Sequence, residues 1–135
     1  MGIEENKEVV RKAFSLLSER KVDVSFEFFA PEYIEHTTNT DMSWEATKQA
    51  VLEFQQAFTD GEVTFDLVIG EDDLVAVRET ITGIHTSEFM GVPATEKQVK
   101  ICNNFIVKVA DGKIVEGWST FDSMSLMHQI GAIPS

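Results

Sequence analysis

Apolar residues along this chain fall first at helical spacing and then at a period of two. Val9, Val10, Ala13, Phe14, Leu16 and Leu17 form one face of a helix, with Glu5, Lys7, Glu8, Arg11 and Lys12 on the other. A second short helix is predicted through Val24 to Phe29, stopped at Pro31, whose ring cannot continue it. Tyr33 to Glu35 reads as a short strand leading into His36, and Thr37 to Asp41 as a polar loop. A third helix, capped by Ser43 or Asp41, gathers Trp44, Val51, Leu52, Phe54, Ala57 and Phe58 on one broad face and ends at Asp60-Gly61.

Past Gly61 the pattern becomes that of strands. Val63, Phe65, Leu67 and Ile69 alternate with Thr64, Asp66 and Val68. Glu71-Asp72-Asp73 makes a turn into a second long strand, Leu74 to His85. A third strand, Lys97 to Ala110, meets a fourth, Lys113 to about Phe121, through Asp111-Gly112, a strong hairpin signal between two apolar runs. A helical turn, Ser123 to Ile130, closes the chain. Helices followed by four long antiparallel strands predict an α+β fold. A strongly curved sheet wrapped around the N-terminal helices makes a cone, with any ligand held between sheet and helices.

Composition narrows the function classes. The 135 residues carry no repeat, low-complexity tract or linker, so one domain over residues 1–135 is expected. Eleven basic residues against 23 acidic ones give a net charge of −12. A field of that sign repels phosphate backbones and anionic lipid, so neither nucleic acid nor a membrane is an expected partner. No apolar run reaches the length of about 18 residues that a membrane-spanning helix needs. The start, Met1 to Asn6, lacks the basic-then-apolar pattern of a secretion signal, and a cytoplasmic location is expected. The lone Cys102 permits no intramolecular disulfide and argues against a cysteine-based zinc site.

Candidate chemistry follows from strand parity. Ile114, Glu116, Trp118, Thr120 and, if the strand continues, Asp122 share one face. Asp122 then has two readings. It projects into an apolar pocket, where desolvation suits a carboxyl to proton transfer, or it caps the helix that begins at Ser123. On the second strand Val75, Val77, Glu79, Ile81, Gly83 and His85 share a face that is apolar apart from Glu79 and His85, while Arg78 belongs to the other. His36 and His85 are candidate acids, bases or hydrogen-bond donors, although single histidines are more often surface or structural residues. His128 lies within the last helix. The three histidines lack metal-ligand spacing, so no metal is expected. Asn103 alternates with Val99, Ile101, Phe105 and Val107, and an amide on such a face must find a hydrogen-bond partner in substrate, side chain or water. Gly91 to Glu96 fails the phosphate-loop pattern, which disfavours nucleotide.

Longer strings carry a resemblance. Asp73-Leu74-Val75-Ala76-Val77-Arg78, Gly83-Ile84-His85-Thr86-Ser87-Glu88-Phe89-Met90-Gly91-Val92-Pro93, and Asp111 to Trp118 with Asp122 resemble the SnoaL-like polyketide cyclase family of the nuclear transport factor two-like superfamily. Tyr33 to His36 and the tail Leu126 to Pro134 add to it, so the likeness spans nearly the whole chain. The resemblance implies a cone-shaped α+β fold and a pocket without metal or cofactor. It implies an intramolecular aldol condensation that closes a ring in a polyketide ester. The aspartate matching Asp122 would serve as general acid/base, His85 and His36 would be pocket residues, and Asn103, Trp118 and Phe89 would line it. Trp44, Phe58 and Met90 complete the candidate lining. A homodimer packed through the outer sheet faces is also implied. Gly83-Ile84-His85-Thr86-Ser87 and Pro93-Ala94-Thr95-Glu96 depart from the family's usual strings near the pocket mouth, which bears on substrate identity.

Three functions remain in competition. The first is an enzyme doing acid/base chemistry on a small apolar carbonyl compound, as a cyclase or keto-enol isomerase. The second is a non-catalytic module that binds a small apolar molecule in the same pocket. The third is a protein-interaction domain, which an exposed apolar sheet patch would favour.

Overall fold

The structure is a computed structural model, and it describes residues 2–134. Helix α1 (Ile3–Ser18) and helix α2 (Val22–Phe26) come first. Strand β1 (Phe29–His36), strand β2 (Asp41–Ser43), helix α3 (Trp44–Ala57) and strand β3 (Phe58–Thr59) follow. Then come β4 (Val63–Glu71), β5 (Leu74–His85), β6 (Gln98–Ala110), β7 (Lys113–Phe121) and helix α4 (Ser123–Gln129). This is the expected α+β order, with the expected cone: helices on the inner face of one curved seven-stranded sheet, β2-β1-β7-β6-β5-β3, with β4 also on β5.

Local chemistry sets the boundaries. Ser43 caps α3 by accepting from the Ala46 N–H at 3.1 Å, satisfying a donor that the first helical turn leaves free. The Asp111-Gly112 turn has positive φ at both residues, 51° and 76°, the geometry a two-residue hairpin needs. The second helix ends at Phe26 rather than Phe29, because Phe29 to His36 is drawn into a strand longer than Tyr33 to Glu35. Its partner is β7, and the pairing is parallel. The expected loop from Thr37 ends in β2, which pairs antiparallel with β1.

Two bulges overturn the simple parity of the sequence. In β4, Phe65 and Leu67 face the consecutive β5 residues Glu79 and Arg78, so Asp66 is extra. From there the inner face passes to Val68 and Gly70, and Leu67 and Ile69 are exposed outside. In β7, Ile114 and Glu116 face the consecutive residues Val109 and Lys108, so Val115 is extra. Gly117, Ser119 and Phe121 therefore alternate onto the inner face, while Glu116, Trp118 and Thr120 turn outward. On β5 and β6, unbroken across their pairing, the predicted inward sets hold.

Inside the cone are two apolar clusters. One centres on Val10, Phe26, Phe29, Tyr33, Val77 and Phe105, and the other on Phe58, Val99, Ile101, Leu126 and Ile130. Phe14 of α1 stacks on Phe105 with ring centroids 4.4 Å apart, tying helix to sheet. Among the described residues no helix is long and apolar enough to cross a membrane.

Candidate active site

The antiparallel registers of β4, β5, β6 and β7 bring Phe65, Glu79, Asn103 and Phe121 into one cross-strand row on the inner face. The row lies between the two apolar clusters, with Val77 and Phe105 on one side and Ile81 and Ile101 on the other. Glu79 is only 7 % exposed. The Asn103 amide Nδ2 donates to its Oε1 at 3.0 Å, while the buried Asn103 Oδ1 finds no partner. Burial pushes the Glu79 carboxyl up to about 7, against the opposing pull of the Asn103 bond and with a further push from Asp66. Glu79 is the functional candidate that the sequence reading passed over. Its signal was there, as the one carboxylate on an otherwise apolar strand face.

His85 is fully buried at the far end of β5, stacked on Phe58 with ring centroids 5.1 Å apart. The Thr95 backbone N–H donates to Nδ1 at 3.3 Å, and the Thr95 hydroxyl lies 2.9 Å from the same nitrogen. An Nδ1 that accepts from a backbone N–H carries no proton, so the neutral ring holds its proton on Nε2. That Nε2 is buried and has no partner among the described residues. Six residues of extended strand separate His85 from Glu79, roughly 20 Å at the usual rise. An aromatic wall connects them. Phe54 of α3 touches Phe58, Phe89 and Phe121 at centroid distances of 4.8, 6.0 and 5.9 Å.

Asp122 follows Phe121 directly and so sits at the level of the Asn103 row, at the rim. Its side chain is exposed, and Oδ1 accepts from the Ser125 N–H at 3.1 Å, capping α4. Of its two readings, the cap is the one the geometry displays. His36 lies on the outer face, its Nε2 2.7 Å from Glu116 and its Nδ1 2.8 Å from Asp41. Those two bonds, Glu116 first, hold the imidazole above its ordinary pKa. It stacks on Trp118, which the Val115 bulge has turned outward, so neither residue faces the cone.

The other lining candidates divide. Phe58 and Phe89 stand in the aromatic wall. Met90 is 72 % exposed at the tip of a tight turn. Trp44 packs edge-on against Phe26 and donates its Nε1–H to the Phe26 carbonyl at 3.2 Å. It borders an open groove of about 1000 Å³ shared with Phe29, Glu32 and Lys113, away from the Glu79 row. Among the described residues no three His, Cys, Asp or Glu side chains gather as metal ligands.

The inner face therefore carries an acceptor at Asn103, a buried carboxyl at Glu79 with a raised pKa and an N–H donor at His85, all set in aromatic and aliphatic surroundings. Solved structures share the fold of this chain. AclR, a putative hydroxylase from Streptomyces galilaeus, superposes with a TM-score of 0.92 at 23 % identity, over 98 % of this chain and 100 % of that one. IdmH, a putative polyketide cyclase from Streptomyces antibioticus, gives 0.82 at 25 % identity, over 93 % and 98 %. A putative SnoaL-like polyketide cyclase from Jannaschia sp. CCS1 gives 0.87 at 25 % identity, over 98 % and 95 %. No curated protein matches the sequence at a significant level. Residues 7–130 match the family model for SnoaL-like polyketide cyclases, and with the cone, its inward β5 and β6 faces and the fold of these neighbours, the chain belongs to that family.

Proposed function

We propose that this protein is a cyclase or isomerase that performs acid/base chemistry of the intramolecular aldol type, without a cofactor, on a small apolar carbonyl or polyketide-like compound held inside the cone. The observation that carries the reading is that two buried polar atoms of the inner face, His85 Nε2 and Asn103 Oδ1, find no partner among the described residues. An unmet buried donor or acceptor costs about 1–3 kcal/mol, a cost that a ligand's carbonyl and hydroxyl groups remove on binding. In this reading His85 Nε2–H polarises a substrate carbonyl oxygen, and the aromatic wall holds the carbon skeleton. Asp122, at the position that matches the family's acid/base residue, stands at the rim. A homodimer through the outer sheet face belongs to the same proposal.

The test is incubation with linear β-keto esters and thioesters, followed by mass and NMR analysis. A new ring-closed or isomerised product, formed faster than in buffer and lost in His85→Phe, is the expected result. Tight binding with unchanged recovery of every compound would replace the enzyme by a non-catalytic binding module of the same fold.

A further inference from the structure

We propose that Glu79 is the general base of the cone interior and Asn103 its positioning residue, acting on the 1,3-dicarbonyl units of the polyketide-like substrate already named above. This rests on the carbonyl acid/base reading above and adds to it the group that moves the proton.

The geometry is specific. Asn103 holds Oε1 at 3.0 Å, and among the described residues Oε2 receives no hydrogen bond. A carboxylate with one oxygen anchored and the other open is oriented for proton abstraction. Among the described residues no cation pairs with it. Arg78 points to the opposite face, and Phe65, Asn103 and Phe121 in its row are uncharged. The helices add no charge to the row, since α1 presents Phe14 to the sheet, α3 presents Phe54, and α4 presents Leu126. Asp66 of β4 is the one charged neighbour that acts on the carboxyl, and it repels the ionised form. A Glu–Asn pair between two apolar clusters is a poor choice for stability alone, because well-packed apolar residues there would cost nothing to desolvate. The open Asn103 Oδ1 is an acceptor and requires a donor. The carbon between the two carbonyls of such a unit supplies an acidic C–H for Glu79.

The proton balance closes within the site. Glu79 Oε2 takes the proton from the carbon between the two carbonyls, so a C–H bond breaks and an O–H bond forms, and the electron pair spreads over the enolate. The enolate carbon then bonds to a distant carbonyl carbon of the same molecule. The π pair of that carbonyl becomes an alkoxide, which takes the proton back from Glu79. Nothing is oxidised or reduced.

The experiment is deuterium exchange at C2 of ethyl acetoacetate in deuterium oxide, followed by NMR, with thermal unfolding checked for each variant. Wild type is expected to accelerate exchange over buffer, with a rate that rises through pH 7. Glu79→Gln, which preserves shape, should lose about 10²–10⁴-fold. Asn103→Ala removes the bond that lowers the Glu79 pKa, so its pH profile should move to higher pH, a shift that a purely structural role would not produce. Exchange by Glu79→Gln at the wild-type rate, or an unmoved profile in Asn103→Ala, overturns the proposal. If Glu79→Gln keeps the rate while Asp122→Asn loses it, the base is Asp122 and the carbonyl reading stands. If wild type fails to exceed buffer, both fall.

Discussion

Glu79 concentrates the conflict between stability and chemistry in a single side chain. Its folded-state pKa is raised from 4.5 to about 7, so between those values the folded protein holds a proton that the unfolded chain releases. Stability must then fall as pH rises through this window, by on the order of 3 kcal/mol in total. Glu79→Gln should therefore unfold at higher temperature than wild type at pH 8, and the advantage should vanish near pH 4.5, as thermal denaturation at several pH values would measure. Equal melting temperatures at pH 8 would mean that the carboxyl is not buried as described. The residue scale is also where the sequence was least legible. Strand parity puts His85 and Asn103 on the inner face, as the structure does, because β5 and β6 pair without a break. Glu79 shared the His85 face and was visible, but a lone carboxylate declares its role only once a partner, here Asn103, stands opposite. His36 and Trp118 belong to each other instead, as a stacked pair outside the cone.

At the level of elements, the two bulges decide what each strand presents. A period-two pattern of apolar residues announces a strand but not an inserted residue, and neither Asp66 nor Val115 carries a chemical sign of being one. For that reason the inner faces of β5 and β6 could be read from sequence, while those of β4 and the second half of β7 could not. The parallel pairing of β1 with β7 was equally invisible, since it joins segments far apart in the chain. The β7 bulge also delivers Gly117 to the inner face, where a Cβ would lie 2.3 Å from the Tyr33 hydroxyl. Tyr33 is buried and gives its O–H to Glu35 at 2.9 Å, so it has little room to retreat. Gly117→Ala should cost about 1–3 kcal/mol by overpacking, checked by urea unfolding. A neutral result would mean that β1 shifts easily against β7.

For the whole molecule, the bulges leave an apolar band on the outer surface. Ile69, Ala76, Ile106 and Trp118 stand in one cross-strand row, with Leu67 exposed beside it. With a net charge of −12, a second copy would be repelled unless the contact were apolar and little charged, as this band is. Ile106→Asp should shift a dimer toward monomer in light scattering without lowering the melting temperature of the monomer, and a monomeric wild type would remove the dimer from the proposal. The sheet's connectivity has a consequence in time. Among the described residues strand β1 pairs with the short β2 and with β7, and residues 37–112 lie between β1 and β7. At ribosomal speeds of about 5–20 residues per second, β1 waits on the order of 4–15 s for its main partner to be made. Until then the inner side of β1, with Phe29 and Tyr33, has only the first helices and α3 to cover it. Strand β1 is thus fastened by β7, and the nascent chain depends on its early helices to shield β1 until β7 has been made.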